Sequence, residues 1–237
     1  FGVTSRESNP ALGLRSIRLC LTPAGRPVFK SQIRGLLRAS AVGPLRIMFP
    51  MITDIAELRA AKDMLAEAKD ELRGRGEPFD DDIKVGAMIE MPAAAMIADL
   101  IAKEVDFVSV GTNDLIQYAL AVDRVNEQVG YLYQPLHPAI LRLVRSITQA
   151  AHDQHIPVSM CGEMAGEPLL ALILLGLGLE ELSMNASSIP IVKNILRESS
   201  LAEAKELVKE AFLRHTSTEI EALVKEHMAH RFPVEEE

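Results

Sequence analysis

The segment SVGTNDLIQYALAVDR, residues 109–124, shows the unit from which the fold is expected to be built. It begins as the end of an apolar strand, passes into the polar triplet TND at 112–114, and continues as a helix that Arg124 follows. A strand that runs directly into a helix is typical of a βα unit.

Five apolar runs with β propensity recur along the chain. They are LRIMFPM (45–51), KVGAMIEM (84–91), VDFVSVG (105–111), IPVSM (156–160) and LEELSMN (179–185). Segments with helical periodicity separate them, and the runs are almost wholly apolar. Such a pattern predicts an α/β fold in which helices cover both faces of a parallel sheet.

The helical segments carry recognisable start signals. Helices are predicted at 55–73, 138–153, 167–175, 201–213 and 219–230. Asp54 is the predicted N-cap of the first, and Thr216 with Glu219 forms a predicted capping box before the last. The two final helices are amphipathic and are interpreted as structural.

Composition excludes several classes of function. The 237 residues allow one large α/β domain or two small ones, and the net charge of -8 argues against nucleic-acid binding. The longest apolar run, 169–179, is too short to span a membrane, and no signal peptide is recognised. Cys20 and Cys161 form neither a disulfide framework nor a metal-binding pair, which favours a reducing, cytoplasmic setting. Because the chain starts at Phe1, a longer polypeptide is expected.

Polar residues gather where the predicted strands end. They are Glu90, residues 112–114, residues 161–163 and Asn185. Ligands bind at the carboxyl ends of parallel strands, so a site is expected there. Glu90 and Asp114 provide the two hard carboxylate ligands that suit Mg²⁺, although Asp114 is also a candidate helix cap.

Two arginines and a cysteine extend this set. Arg15 and Arg124 suit a small anion because guanidinium groups bind phosphate and carboxylate through paired donors. The simpler alternative for Arg124 is a surface ion pair, for example with Asp123 or Glu127. Cys161 follows a strand and is a candidate proton donor or nucleophile, whereas an inert buried thiol is the commoner case.

Six motifs resemble a known family in order and spacing. NPALGLRSIRLCL, LRIMFPM, GAMIEMPAAA, DFVSVGTNDLIQYALAVDR, LYQPLHPAILRLV and MCGEMAGEP resemble the C-terminal domain of enzyme I of the bacterial phosphotransferase system, the phosphoenolpyruvate-protein phosphotransferases. Pyruvate phosphate dikinase and phosphoenolpyruvate synthase share a looser version. The resemblance covers almost the whole chain.

The resemblance implies a fold and a set of roles. It implies that residues 1–237 are the C-terminal part of a phosphoenolpyruvate-binding (β/α)8 TIM-type barrel, incomplete at its N-terminus, with extra C-terminal helices and a homodimer interface. Glu90 and Asp114 match Mg²⁺ ligands, Asn113, Asp114 and Arg124 match substrate-binding positions, and Arg15 matches the anion clamp. Cys161 matches the cysteine that protonates the enolate carbon.

The family's phosphate-accepting histidine and its first barrel strands would lie upstream of Phe1. In the full-length protein, that histidine would pass the phosphoryl group to a histidine-containing phosphocarrier protein and pyruvate would be released. Glu163 is a further hypothesis, as a residue of the proton network. The alternatives are a dikinase or synthase domain with the same substrate, and a regulatory barrel without turnover.

Overall fold

The computed structural model describes residues 7–232. The chain divides into two compact units, Phe1–Met88 and Ile89–Glu237. All five predicted strands are present, and strands that pair within a unit run parallel. The predicted α/β class is therefore confirmed. Within residues 7–232, no helix is long and apolar enough to cross a bilayer.

The first unit contains a parallel strand pair and its helices. Its elements are a 3-10 helix Pro10–Leu12, α1 Ser16–Cys20, α2 Arg26–Ser40, β1 Arg46–Phe49, α3 Ile55–Arg75 and β2 Lys84–Ile89, whose last residue belongs to the second unit. Pairing of β1 with β2 runs from Arg46 opposite Lys84 to Phe49 opposite Ala87. The predicted N-cap Asp54 is confirmed, because its side chain accepts the Glu57 N–H.

Aromatic and charged contacts join α2 to its neighbours in this unit. The Phe29 ring packs edge-on against Phe49, with 6.2 Å between ring centroids. Lys30 lies 2.7 Å from a carboxylate oxygen of Glu67 and 3.0 Å from one of Glu71 on α3. These contacts lower the pKa of both carboxyl groups. The apolar face of α2 is thereby buried while its charged face pairs with α3.

The second unit holds the remaining strands. Its elements are α4 Pro92–Met96, α5 Ala98–Ala102, β3 Phe107–Gly111, α6 Thr112–Leu120, a 3-10 helix Gly130–Leu132, α7 Pro138–Asp153, β4 Val158–Cys161, 3-10 helices Glu163–Gly166 and Pro168–Leu170, α8 Ala171–Gly176, β5 Glu181–Leu182, α9 Ile189–Glu198, α10 Leu201–Phe212 and α11 Ser217–Arg231. Gly176 allows α8 to lie directly against α10, since a Cβ there would be 2.2 Å from the Ala204 carbonyl oxygen.

The sheet of the second unit is buried on both faces, as its composition predicted. Val108 and Val110 of β3 and Met160 of β4 lie on one face and are at most 1% exposed, and Ser109 on the other face is 4% exposed. Helix α7 contributes its own buried stripe. In the register of β3 with β4, Val108 lies opposite Val158 and Gly111 lies opposite Cys161. This register brings the carboxyl ends of the two strands side by side, where the candidate site residues lie.

Most predicted boundaries shift by one to three residues, and three departures bear on the sheet and the site. The run predicted as a strand over 179–185 pairs only at Glu181 and Leu182, and the helix predicted at 167–175 starts as a 3-10 turn and becomes α-helical at Ala171. Helix α6 ends at Leu120, and the left-handed Ala121 (φ 54°) redirects the chain before Arg124. Closure of the strands into a barrel stays a prediction.

Both capping boxes of the C-terminal helices are present, with Ser200 and Thr216 accepting the backbone N–H three residues on. Replacing Thr216 with alanine is expected to lower the free energy of unfolding by about 1 kcal/mol, because the first turn of α11 loses that acceptor. Urea unfolding measures the change. Thr218→Ala is the matched control, since Thr218 is exposed inside the same helix. Equal destabilisation by the two substitutions would contradict the capping assignment.

Candidate functional site

Four predicted site residues of the second unit lie at the carboxyl ends of strands. Glu90 follows β2 and is 8% exposed. Asn113 and Asp114 lie in the first turn of α6, directly after β3, and Cys161 is the last residue of β4. The fold thus places these predicted residues at the ends of successive strands.

Two hydrogen bonds hold the ends of β3 and β4 together. The buried Thr112 hydroxyl donates to the Cys161 carbonyl oxygen at 3.0 Å. The Glu163 backbone N–H donates to Asn113 Oδ1 at 2.9 Å. These bonds fix the backbone on either side of the cysteine.

Gly162 makes this close approach possible. Its φ of 103° lies where L side chains are strained, and a Cβ there would be 2.5 Å from Thr112 Oγ1 and 2.8 Å from Asn113 Oδ1. Glycine is therefore required at this position for two independent reasons. The close approach is made to the side chains of Thr112 and Asn113.

The Cys161 thiol is half-buried and favours its protonated form. Burial is the largest effect and raises the pKa of the thiol, and the negative charge of Glu90 raises it further. The Ser109 hydroxyl, whose oxygen lies 3.9 Å from the sulfur, lowers the pKa. The net direction is upward. A thiol that keeps its proton suits proton donation better than nucleophilic attack by a thiolate. Ser109 was missed in the sequence, where its only signal is a hydroxyl inside an otherwise apolar strand.

Arg124 forms an ion pair, but not with either of its expected partners. Its Nη1 lies 2.8 Å from Oε1 of Glu163, and the two side chains are 35% and 74% exposed. The Arg124 backbone N–H also donates to the Gln117 side chain at 3.4 Å. An ion pair of the kind that the alternative named is therefore present, with Glu163 as partner, and the substrate-binding role of Arg124 stays a prediction. The Glu163 carboxylate is thus engaged by this arginine.

Tyr133 completes the charged surroundings and was also missed in the sequence. Burial raises the pKa of its phenol to about 12, Glu163 and Asp114 act in the same direction, and Arg124 acts against them. The phenol therefore stays protonated and within electrostatic reach of these three side chains. It lies in LYQPLHP, a motif of the family resemblance, but nothing in the sequence assigns it a role.

The donor set fits a magnesium ion. Glu90 acts electrostatically on the Cys161 thiol and Asp114 on the Tyr133 phenol, so each carboxylate lies near one of the residues just described. Within residues 7–232, no group of three or more His, Cys, Asp or Glu side chains is arranged to hold a metal. Mg²⁺ requires no such group, because one or two carboxylates, water and substrate phosphate satisfy it. Asp114 is not the N-cap of α6, which is Gly111.

Other predicted polar residues have local structural roles or lie in the other unit. Arg15 is the N-cap residue of α1 in the first unit, and its role in a clamp stays a prediction. Asn185 accepts the Ser188 N–H at 2.9 Å and so shapes the turn before α9. His137 caps α7, because its Nδ1 accepts the Ala139 N–H at 3.1 Å.

Comparison with known proteins defines the class. The PEP-binding domain of the PEP-utilising enzymes matches residues 2–201. A citrate lyase from Burkholderia xenovorans shares the fold, with a TM-score of 0.53, 15% identity and coverage of 85% of this chain and 69% of that chain. The chain belongs to the PEP-utilising enzyme family.

Particular relatives carry one name, phosphoenolpyruvate-protein phosphotransferase. The Listeria monocytogenes protein is 49% identical over 94% of this chain and 39% of its own length. The Bacillus subtilis protein is 51% identical over 93% of this chain and 38% of its length, and the Priestia megaterium protein is 55% identical over 84% and 34%. The chain thus spans less than two fifths of the length of these relatives.

Proposed function

We propose that this chain binds phosphoenolpyruvate and that the full-length protein transfers its phosphoryl group to one of its own histidines, releasing pyruvate. The observation that carries this proposal is that the Cys161 thiol, at the end of β4, lies near enough to Glu90, which follows β2, for that carboxylate to raise its pKa. Family membership supplies the substrate class. The names of the relatives favour this reaction over that of a dikinase or synthase.

Cationic and amide side chains are proposed to bind the substrate. Arg124 presents planar, paired donors that match a phosphate or a carboxylate. Asn113 uses its carbonyl oxygen on the Glu163 backbone, so its amide nitrogen is the atom for a substrate oxygen. Arg15 is proposed for the same anion.

Glu90 and Asp114 would hold Mg²⁺. When bound, the ion supplies positive charge that stabilises the substrate phosphate and the developing enolate. The two carboxylates themselves supply negative charge near the substrate position. Glu90 in particular disfavours a thiolate at Cys161.

Proton transfer by Cys161 completes the reaction. When the bond between phosphorus and the enol oxygen breaks, the phosphoryl group passes to the imidazole nitrogen and the electron pair stays as the enolate of pyruvate. The enolate carbon takes the thiol proton and becomes the methyl group. Solvent then restores the proton to Cys161.

Further properties belong to the full-length protein. The accepting histidine is proposed to lie in an upstream domain, together with the first strands of a (β/α)8 barrel. From that histidine the phosphoryl group would pass to a histidine-containing phosphocarrier protein. A cytoplasmic homodimer is proposed on the same grounds of family.

Calorimetric titration of the full-length protein with phosphoenolpyruvate and Mg²⁺ tests the proposal. Arg124→Ala is expected to weaken binding about ten- to a hundredfold, the usual loss for a hydrogen-bonded charged group. Arg214→Ala removes an exposed arginine after α10 and is expected to change affinity less than about twofold. No binding to the unsubstituted protein, or equal losses in both variants, would contradict the proposal.

A further inference from the structure

The ion pair between Arg124 and Glu163 occupies the guanidinium that the proposed function assigns to substrate. Arg124 Nη1 is 2.8 Å from Glu163 Oε1. The Arg124 side chain is 35% exposed and the Glu163 side chain is 74% exposed, so the pair lies at the surface of the unit. A small anion therefore reaches this guanidinium without unfolding any element. Such an anion finds the guanidinium already paired with the Glu163 carboxylate.

The backbone of Glu163 is held in place, whereas its side chain is exposed to solvent. Its N–H is bound to Asn113 Oδ1 at 2.9 Å, and the preceding Gly162 fits tightly against Thr112 and Asn113. The carboxylate is consequently kept within reach of Arg124 from a fixed point. Rotation about its own side-chain bonds is sufficient to move it away, and its solvent exposure makes that movement inexpensive.

We propose that Glu163 is a built-in competitor for the substrate anion: its carboxylate holds the Arg124 guanidinium in the empty site and yields it when phosphate or carboxylate oxygens arrive. This proposal rests on the proposed function, in which Arg124 binds substrate. Two consequences follow. Glu163 lowers the affinity for any anion that uses Arg124, and it retakes the guanidinium as product leaves.

The charges around Arg124 favour competition between Glu163 and the substrate for the guanidinium over sharing of it. Glu163 and Asp114 both act on the Tyr133 phenol as negative charges, whereas Arg124 acts as a positive one. A phosphoenolpyruvate anion entering this group adds further negative charge beside Glu163. Like charges at such distances repel, so the carboxylate and the substrate do not share one guanidinium at equal strength.

The test compares phosphoenolpyruvate affinity and steady-state kinetics in four forms of the full-length protein: unsubstituted, Glu163→Gln, Arg124→Ala and the double variant. Glu163→Gln is expected to bind about two- to fivefold tighter, the factor that corresponds to losing an exposed ion pair. KM falls by a similar factor. In the Arg124→Ala background the same substitution has no effect on affinity.

Glu127→Gln is the matched control, because it removes the same charge from an exposed residue near Arg124 in sequence. Equal tightening by Glu127→Gln would show a general charge effect and overturn the proposal. Unchanged or weaker binding in Glu163→Gln would overturn it too, since the acid would then only position Arg124. If the unsubstituted protein bound no phosphoenolpyruvate, the proposed function itself would fail.

Discussion

Cys161→Ala is expected to slow the exchange of pyruvate's methyl protons with solvent deuterium by about a hundred- to ten-thousandfold in the full-length protein. Alanine has no proton to give or take, and the nearby Ser109 hydroxyl is too weak an acid to substitute for a thiol. Deuterium incorporation followed by NMR measures the rate. Phosphoenolpyruvate affinity should change little, because the thiol acts on the carbon formed after the phosphoryl group departs.

Cys20→Ala is the matched control for this experiment. Cys20 is half-buried at the end of α1 in the first unit, and burial raises the pKa of its thiol as it does for Cys161. Its removal is expected to leave the exchange rate within about twofold of the unsubstituted protein. An unchanged rate in Cys161→Ala, or an equal loss in Cys20→Ala, would remove Cys161 from the proton transfer.

Gly162→Ala is expected to have the largest effect on stability, about 2–5 kcal/mol of the free energy of unfolding. The added Cβ meets Thr112 Oγ1 at 2.5 Å, and the φ of 103° strains any L side chain. Relief requires Thr112 and Asn113 to move, and these residues hold the ends of β3 and β4 together. Urea unfolding followed by circular dichroism measures the loss.

Gly74→Ala separates this local clash from the general effect of replacing glycine. Gly74 lies inside α3, and a Cβ there meets nothing within 4 Å. Alanine at Gly74 is expected to stabilise the protein by about 0.5–1 kcal/mol, since glycine is a poor helix former. If Gly162→Ala unfolded at the same urea concentration as the unsubstituted protein, the close approach at Gly162 would be wrong.

Local patterns located the elements well because the forces that create them are local. Strands appeared as apolar runs since both faces are buried, and the cap at Asp54 and the box at Thr216 depend on residues three positions apart. The end of a strand depends on its partner. The run predicted over 179–185 therefore pairs only at Glu181 and Leu182, opposite Ser159 and Met160.

Site contacts between distant residues could not be predicted in this way. Arg124 and Glu163 are separated by 39 positions in the chain, so the sequence offered Asp123 and Glu127 as the nearer partners. The proximity of Tyr133 and Ser109 to the site was recognised only from the charges and atoms that surround them in the structure. The strand-end residues, in contrast, followed from one topological rule, that parallel strands bring their carboxyl ends to one edge.

The most direct test of the central claim is a crystal structure of the full-length protein with phosphoenolpyruvate and Mn²⁺ in place of Mg²⁺. We expect one anion that contacts Arg124, an anomalous metal peak between the Glu90 and Asp114 carboxylates, and Cys161 Sγ within about 4 Å of the substrate's methylene carbon. An anion bound elsewhere, or a thiol turned away from that carbon with the metal far from both acids, would contradict it.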